Sequence, residues 1–544
     1  MSSAEALQQE NQELKRVIAQ LATEALAKDQ RVAEHVAAQQ QHLATLEQRL
    51  AAQRRQIEHL LEQFRLARQR LFGVSSEKAP GQSELFNEAE TLSREVPEPE
   101  DEEAPTSNGA GRKARGARKP LAAHLPLVEI RHALPEDQRR CPCGCTLKLI
   151  GEETSEQLDL IPARIQVLRH IRERYVCGHC AAAPVLAPMP AQPIPKSNAS
   201  PGLLAHITVG KYVDGLPLYR LESVLARADL HQPRQTSARW MMQAAELIQP
   251  LINLAWDHLL NQPVIHCDET VVQVLKEPDK PPTSNSYMWV LTAGPPDRPV
   301  VLFDYQPSRS SEVPKRLLAG YRGYLMSDGY EGYNAVAAQS GIEHLCCMVH
   351  ARRGFRDAQR AQPKGYTGRA DEAIEYFRKL YRIEGQIRDA DIDTRYRTRQ
   401  AQSIPVLQQF RAWLDDALPE VNPEGTLGKA LAYLDKYWPK LIRYCKAGYL
   451  PIDNNRLENN IRPFVIGRNN WKFSDTPAGA HASASLYSLI ETCKACGVDP
   501  YTYLRHVYTH LPAASTVAQI EAFLPWNVDR SQILLLPTRR RAAA

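Results

Sequence analysis

The sequence predicts a multidomain α/β protein: a short-stranded sheet interrupted by helices, preceded by a long coiled-coil helix and a metal-binding module. Three features of the 544 residues predict it. An apolar heptad runs through 5–72, tight cysteine clusters lie within 141–180, and β-like runs alternate with turn signals over 262–350. A chain this long exceeds a single core, so several domains are expected.

Composition narrows the class. The hydrophobic fraction of 43% suits a protein with real cores, and the net charge of +5 does not by itself announce a polyanion partner. No run of about 18 apolar residues exists, which argues against a transmembrane helix. The start Met-Ser-Ser-Ala-Glu lacks a basic-then-apolar leader, so the expected location is the cytoplasm. Eleven cysteines, several clustered, in such a chain favour metal ligation over disulfides.

Residues 1–78 are expected to form a coiled coil or leucine zipper. Leu7, Asn11, Leu14, Ile18, Leu21, Ala25 and Val32 follow one heptad. Val36, Leu43, Leu46, Leu50, Ile57, Leu60, Phe64 and Leu71 resume it after a four-residue stutter. A helix this long, with no other element to cover its stripe, is expected to pair with a second copy; the alternative is folding back on its own domain. Residues 79–120 read as a disordered linker, acidic at first and then basic, with Arg112, Lys113, Arg115, Arg118 and Lys119. That basic block suits phosphate contacts or simple solvation.

Residues 121–195 carry the cysteines. Cys141, Cys143 and Cys145, with Cys177 and Cys180 further on, read as a tetrahedral structural zinc site using four of the five. Between them, 164–175 alternates like a strand, with His170, Arg172 and Arg174 on one face. The cationic face fits either a DNA-contacting module or a solvated zinc ribbon. Residues 196–260 look helical, and 218–226, a turn and a helix starting at 234 sketch a helix-turn-helix. Arg234, Gln235, Thr236 and Ser237 then stand where base edges would be met, although many helical hairpins share that outline.

The core is expected over 261–350 and 451–512. Strands are read at 264–275, 287–292, 300–305 and 324–327, a helix at 310–318, and a possible fifth strand at 344–348. Three strands, a helix and a fourth strand make a ribonuclease-H-like arrangement. It would bring Asp268 and Asp328 to one end of the sheet. A helix over 454–462 can deliver Glu458 to the same place, which makes 351–450 a helical insertion and 513–544 a tail. Hard oxygen ligands of this kind suit Mg²⁺ or Mn²⁺. Two ions roughly 3.5–4 Å apart can activate a nucleophile and stabilise a leaving oxygen in phosphodiester chemistry.

At these residues the chain resembles the DDE transposases of the insertion sequence sixty-six family. The likeness rests on Arg70-Leu71-Phe72-Gly73, the cysteine knuckles, Lys211-Tyr212-Val213-Asp214, Asp268-Glu269-Thr270 and Ser327-Asp328-Gly329-Tyr330. It continues through Cys347-Met348-Val349-His350 with Arg352 and Arg353, Asp453-Asn454-Asn455, Gly467-Arg468-Asn469-Asn470-Trp471 and Ser488-Leu489-Ile490-Glu491-Thr492. The resemblance implies catalytic metal binding by Asp268, Asp328 and Glu458, with DNA cleavage and strand transfer at the ends of an insertion sequence. It also implies a bacterial, nucleoid-associated setting and small accessory transposition proteins.

Arg462, Arg468 and Lys472 would suit phosphate contacts. Cys347 and His350 would either join a second metal site or belong to the core and a DNA-facing surface. Two departures stand out: the first knuckle is one residue shorter than usual, and Asn459 replaces a more common arginine. A non-catalytic DNA-binding regulator derived from a transposase is the alternative reading.

Overall fold

The computed structural model describes residues 3–72, 165–175, 185–338, 341–363, 365 and 367–536. It divides into two compact units, Pro97–Ile171 and the remainder of the chain. Of the first, only 165–171 are described, and the five cysteines expected to hold zinc lie outside the described residues.

Helix α1 (Ser3–Phe72) keeps its apolar stripe exposed from Leu14 to Phe64. Near its end it meets the insertion. The Glu62 carboxylate accepts the Thr426 N–H at 3.0 Å, capping a helix whose own N-cap, Gly425, has no side chain.

A two-residue hairpin follows, β1 (Arg174–Tyr175) against β2 (Val185–Leu186). This corrects the strand expected over 164–175. A strand needs a ladder partner, and 165–173 find none among the described residues, leaving Val167 92% exposed. Then come α2 (Pro201–Tyr212), α3 (Leu218–Ala226) and α4 (Arg234–Leu260). Arg234 and Gln235 are exposed at the start of α4, but Ser237 is only 4% exposed and cannot meet a base edge.

The sheet is formed by β3 (Val264–Gln273), β4 (Asn285–Ala293), β5 (Val300–Gln306), β6 (Gly323–Ser327) and β7 (Ile342–Cys346) in the order β5-β4-β3-β6-β7. β3, β4 and β5 form an antiparallel meander, while β6 and β7 add in parallel on the other side of β3. Short helices α5 (Glu312–Leu317) and α6 (Asn334–Ala337) lie in the crossovers. β-Branched and aromatic residues (Val264, Ile265, Val271, Val272, Trp289, Val290, Val300, Val301, Phe303) suit a sheet covered on its faces. The fifth strand ends at Cys346, earlier than expected, because Cys347 already caps the next helix.

The insertion comprises α7 (Met348–Ala361), α8 (Arg369–Gln386), α9 (Ile392–Thr398), α10 (Ile404–Ala417) and α11 (Thr426–Leu441). Its core is aromatic, with Phe355, Phe377 and Phe410 fully buried. A wide π turn at Arg399–Ser403 joins α9 to α10. There the buried Arg399 makes two bonds to Glu384, at 2.8 and 2.7 Å, and donates to the carbonyls of Tyr444 and Ala447.

Helices α12 (Asn455–Trp471), α13 (Pro477–Ala495), α14 (Pro500–His510) and α15 (Val517–Glu521) complete the chain. Helix α13 covers the sheet edge. The β5 amides of Val301 and Phe303 donate to Thr492 Oγ1 at 3.0 Å and Ser488 Oγ at 2.7 Å, so no strand edge is left open there.

Candidate active site

Asp268 and Asp328 are set by the register of two parallel strands. The β3–β6 ladder pairs Val264 to Tyr324 and ends at His266 with Met326. Each aspartate lies two residues beyond that last pair, Asp268 still within β3 and Asp328 one residue past the end of β6, where the parallel ladder stops and α/β sheets open a crevice. Past Ser327 the chain turns on Asp328-Gly329: Asp328 Oδ1 accepts the Tyr330 N–H at 2.8 Å, and Gly329 holds φ of 89°. A Cβ on Gly329 would stand 3.1 Å from the Tyr433 hydroxyl and 3.3 Å from the Tyr437 ring, so conformation and space both demand glycine.

Glu458 arrives in the first turn of α12, where a carboxylate meets the positive end of the helix dipole. The helix runs on to Trp471, well past the expected 462. Pro463 removes one backbone bond, but the helix continues through it with Ile461, Phe464 and Gly467 buried.

Three contacts fix the approach of α12. His266 Nδ1 donates to Asn454 Oδ1 at 2.8 Å, Asn454 N–H donates to Cys347 Sγ at 3.2 Å, and Arg456 donates to the carbonyls of Gly294 and Ala293 at 2.7 and 2.9 Å. Arg468 ties the other end to Thr270 Oγ1 at 3.0 Å and to the Val271 carbonyl, so that guanidinium is engaged with β3. Arg462 is half-buried, and Lys472 is exposed just beyond α12; Arg172 and Arg174 are exposed beside the small hairpin.

The three acids share one electrostatic environment. Asp268 is pushed well above the usual carboxylate range, first by burial, then by the charges of Asp328 and Glu269, and also by Glu458. Burial likewise raises Glu269, against the Tyr333 hydroxyl at 2.8 Å and the Arg309 guanidinium at 2.5 Å, which favour its ionised form. Arg309 also stacks on the Tyr330 ring, 3.7 Å from its centroid.

From the insertion, the Tyr433 hydroxyl donates to the Asp328 carbonyl. Lys440 donates to His344 Nδ1 at 3.0 Å, which leaves Nε2–H to donate to Ser327 Oγ at 2.7 Å. His344 is thereby kept neutral, its pKa lowered to about 3 by burial and by Lys440 and Arg443. On α7, His350 Nδ1 stands 3.6 Å from Glu458 Oε1, and Arg353 Nη2 stands 4.0 Å from Oε2.

His266, Asn454, Tyr433, His344 and Arg309 are the participants that sequence reasoning did not single out. Asn454 lay within a matching motif and His266 within the strand read around Asp268. The others act through pairs far apart in the chain, which leave no local spacing to read.

Two half-buried aspartates, on β3 and just past β6, and a buried glutamate whose charge reaches Asp268 make up an acidic group of the kind that hard divalent cations take as ligands. Comparison with known proteins supplies the family. The model described as "Transposase IS66 family" matches residues 196–482, more than half the chain, and "IS66 C-terminal element" matches 488–526. "Zinc-finger binding domain of transposase IS66" matches 138–181, spanning all five clustered cysteines, and "Transposase C of IS166 homeodomain" matches 59–130.

Among curated relatives from Sinorhizobium fredii (strain NBRC 101917 / NGR234), "Uncharacterized protein y4jD" is 32% identical over 428 residues, covering 76% of this chain and 82% of that protein. "Uncharacterized protein y4qI" is 31% identical over 461 residues, covering 81% and 82%. No solved structure gives a significant match. The chain belongs to the IS66 family of transposases and is a DDE-type transposase. No helix among the described residues is long and apolar enough to cross a membrane.

Proposed function

We propose that the chain binds the inverted-repeat ends of its own insertion sequence, cuts there and transfers the freed strand to target DNA. Asp268, Asp328 and Glu458 would hold Mg²⁺ or Mn²⁺. The observation carrying this reading is that half-buried Asp268 feels the charges of Asp328 and of buried Glu458. Clustered buried carboxylates are costly unless a cation neutralises them, and an all-oxygen set suits a hard ion. When bound, such ions activate water or a 3′-hydroxyl and stabilise the leaving oxygen.

The chain's own residues orient the reaction. Tyr433 and Gly329 fix the Asp328 turn, the His266–Asn454 bond fixes the entry of α12, and Arg309 with Tyr333 holds Glu269 beside Asp268. The mixed sheet order, with acids on β3 and after β6, supports a ribonuclease-H-like core split by the insertion at 351–450. The exposed stripe of α1 supports pairing of two copies through a coiled coil. The matched zinc-finger region supports structural Zn²⁺ on four of Cys141, Cys143, Cys145, Cys177 and Cys180.

End recognition would fall to that module and to 196–260, with Arg172, Arg174, Arg234 and Gln235 exposed for contact and Arg462 and Lys472 nearer the chemistry. The setting would be the bacterial nucleoid, with small accessory proteins.

The test is a labelled duplex carrying one element end, incubated with protein and Mg²⁺ or Mn²⁺. Cation-dependent cleavage followed by strand transfer supports the proposal. Binding without cleavage under either cation contradicts it and favours a regulator; cutting that ignores the end sequence favours a general nuclease.

A further inference from the structure

We propose that Cys347, His350 and Glu458 form a separate site for a zinc-class divalent cation, one that competes with the two aspartates for Glu458. The three side chains come together where β7 passes into α7. Cys347 N–H donates to the Ser327 carbonyl at 3.0 Å, and Met348 N–H to that of Ile452 at 3.2 Å, pinning the junction between β6 and the segment leading into α12. His350 follows in the first turn of α7, facing Glu458 in the first turn of α12.

One ligand atom from each residue lies within 4.8 Å of the others, and the His350 Nδ1 to Glu458 Oε1 distance is 3.6 Å. Around a tetrahedral zinc, with bonds of about 2.3 Å to sulfur and about 2.0–2.1 Å to nitrogen or oxygen, donor atoms stand roughly 3.3–3.6 Å apart. Small side-chain rotations close the difference. The donors are thiol, imidazole and carboxylate, a set that favours zinc or cobalt over magnesium.

Charge balances as well. Thiolate, carboxylate and neutral imidazole carry two negative charges against a divalent ion, with the Cys347 S–H proton released to solvent. A fourth position is left for water. The independent pointer is His350 itself: Nδ1 is buried and makes no hydrogen bond, since 3.6 Å exceeds hydrogen-bond reach, yet it is aimed at Glu458. Arg353 Nη2 stands 4.0 Å from the other carboxylate oxygen, Oε2.

Filling this site ties Glu458 to α7 and withdraws it from Asp268 and Asp328. Zinc is therefore an inhibitor of the Mg²⁺-supported reaction. That consequence rests on the function proposed above; the binding does not, so the two are tested apart.

For binding, Co²⁺ is added to the full chain holding a single equivalent of zinc, and the thiolate-to-cobalt charge-transfer band is followed. One further equivalent giving that band is expected in the wild type. Cys347→Ser should lose the band, His350→Gln should weaken uptake by about tenfold or more, and circular dichroism should show both folded. No additional uptake by the wild type, or an undiminished band in folded Cys347→Ser, overturns the site. For the consequence, the zinc concentration that halves cleavage, relative to each protein's own zinc-free rate, should rise about tenfold in Cys347→Ser. An unchanged value overturns the competition even where the cobalt site stands.

Discussion

The sheet and the helical insertion differ in what they bring to the acidic crevice. The sheet supplies Asp268 and supports it from its own elements, through Glu269, Tyr333 and Arg309. The insertion supplies none of the three acids, yet it touches two of them: Tyr433 and Tyr437 enclose the Asp328-Gly329 turn, and His350 and Arg353 face Glu458. The insertion therefore acts as a brace for the half of the site that arrives at strand and helix ends. Asp268, within a ladder paired on β4, needs no such help.

The largest effects should come from the acids themselves. Asp268→Asn, Asp328→Asn and Glu458→Gln should each reduce cleavage to background while binding of end DNA, measured by gel shift, persists. Loss of binding in all three would mean that the crevice grips DNA rather than cutting it. Next in size is the buried pair in the insertion. Arg399→Leu leaves Glu384 facing Arg395 at 3.9 Å and should cost about 3–5 kcal/mol, read as a lowered denaturant midpoint for the insertion. An unmoved midpoint would show the pair to be dispensable and the brace to be held elsewhere.

A smaller loss should separate brace from fold. Tyr433→Phe removes only the hydroxyl on the Asp328 carbonyl; activity should fall about 10–100-fold, with a higher Mn²⁺ requirement and little change in melting. Equal activity in Tyr433→Phe would break the comparison drawn between the two regions.

A further effect is in pH dependence. His344 has a folded pKa near 3 against the usual 6.5, so the unfolded chain binds its proton first. Its contribution is complete above about pH 6.5 and is lost as pH falls toward 3. Within that window His344→Gln should flatten the slope of stability against pH by about 1.4 kcal/mol per unit, measured by urea unfolding at several pH values.

Much of the sheet was legible because its signals are local. The apolar runs around Asp268 and Asp328, and the turn at Gly294-Pro295-Pro296-Asp297, mark strands by composition alone. The helix at Leu218–Ala226 was legible for the same reason. The run at 164–175 misled because alternation describes a strand only where a partner exists to pair with it. The helix read over 454–462 runs on to Trp471, through Pro463, because Ile461, Phe464 and Gly467 are buried on it. The braces were illegible in principle, since Tyr433 and Asp328, or His266 and Asn454, are brought together only by the tertiary fold. Ser488 and Thr492, read only as matching residues, have a plain physical task in closing the β5 edge.

The central claim is that Asp268, Asp328 and Glu458 share divalent cations. Free Mn²⁺ counted by electron paramagnetic resonance, during titration of the wild type, Asp268→Asn, Asp328→Asn and Glu458→Gln, tests it most directly. Uptake by the wild type should weaken sharply in each variant while the fold persists. Uptake that survives unchanged in all three would contradict it.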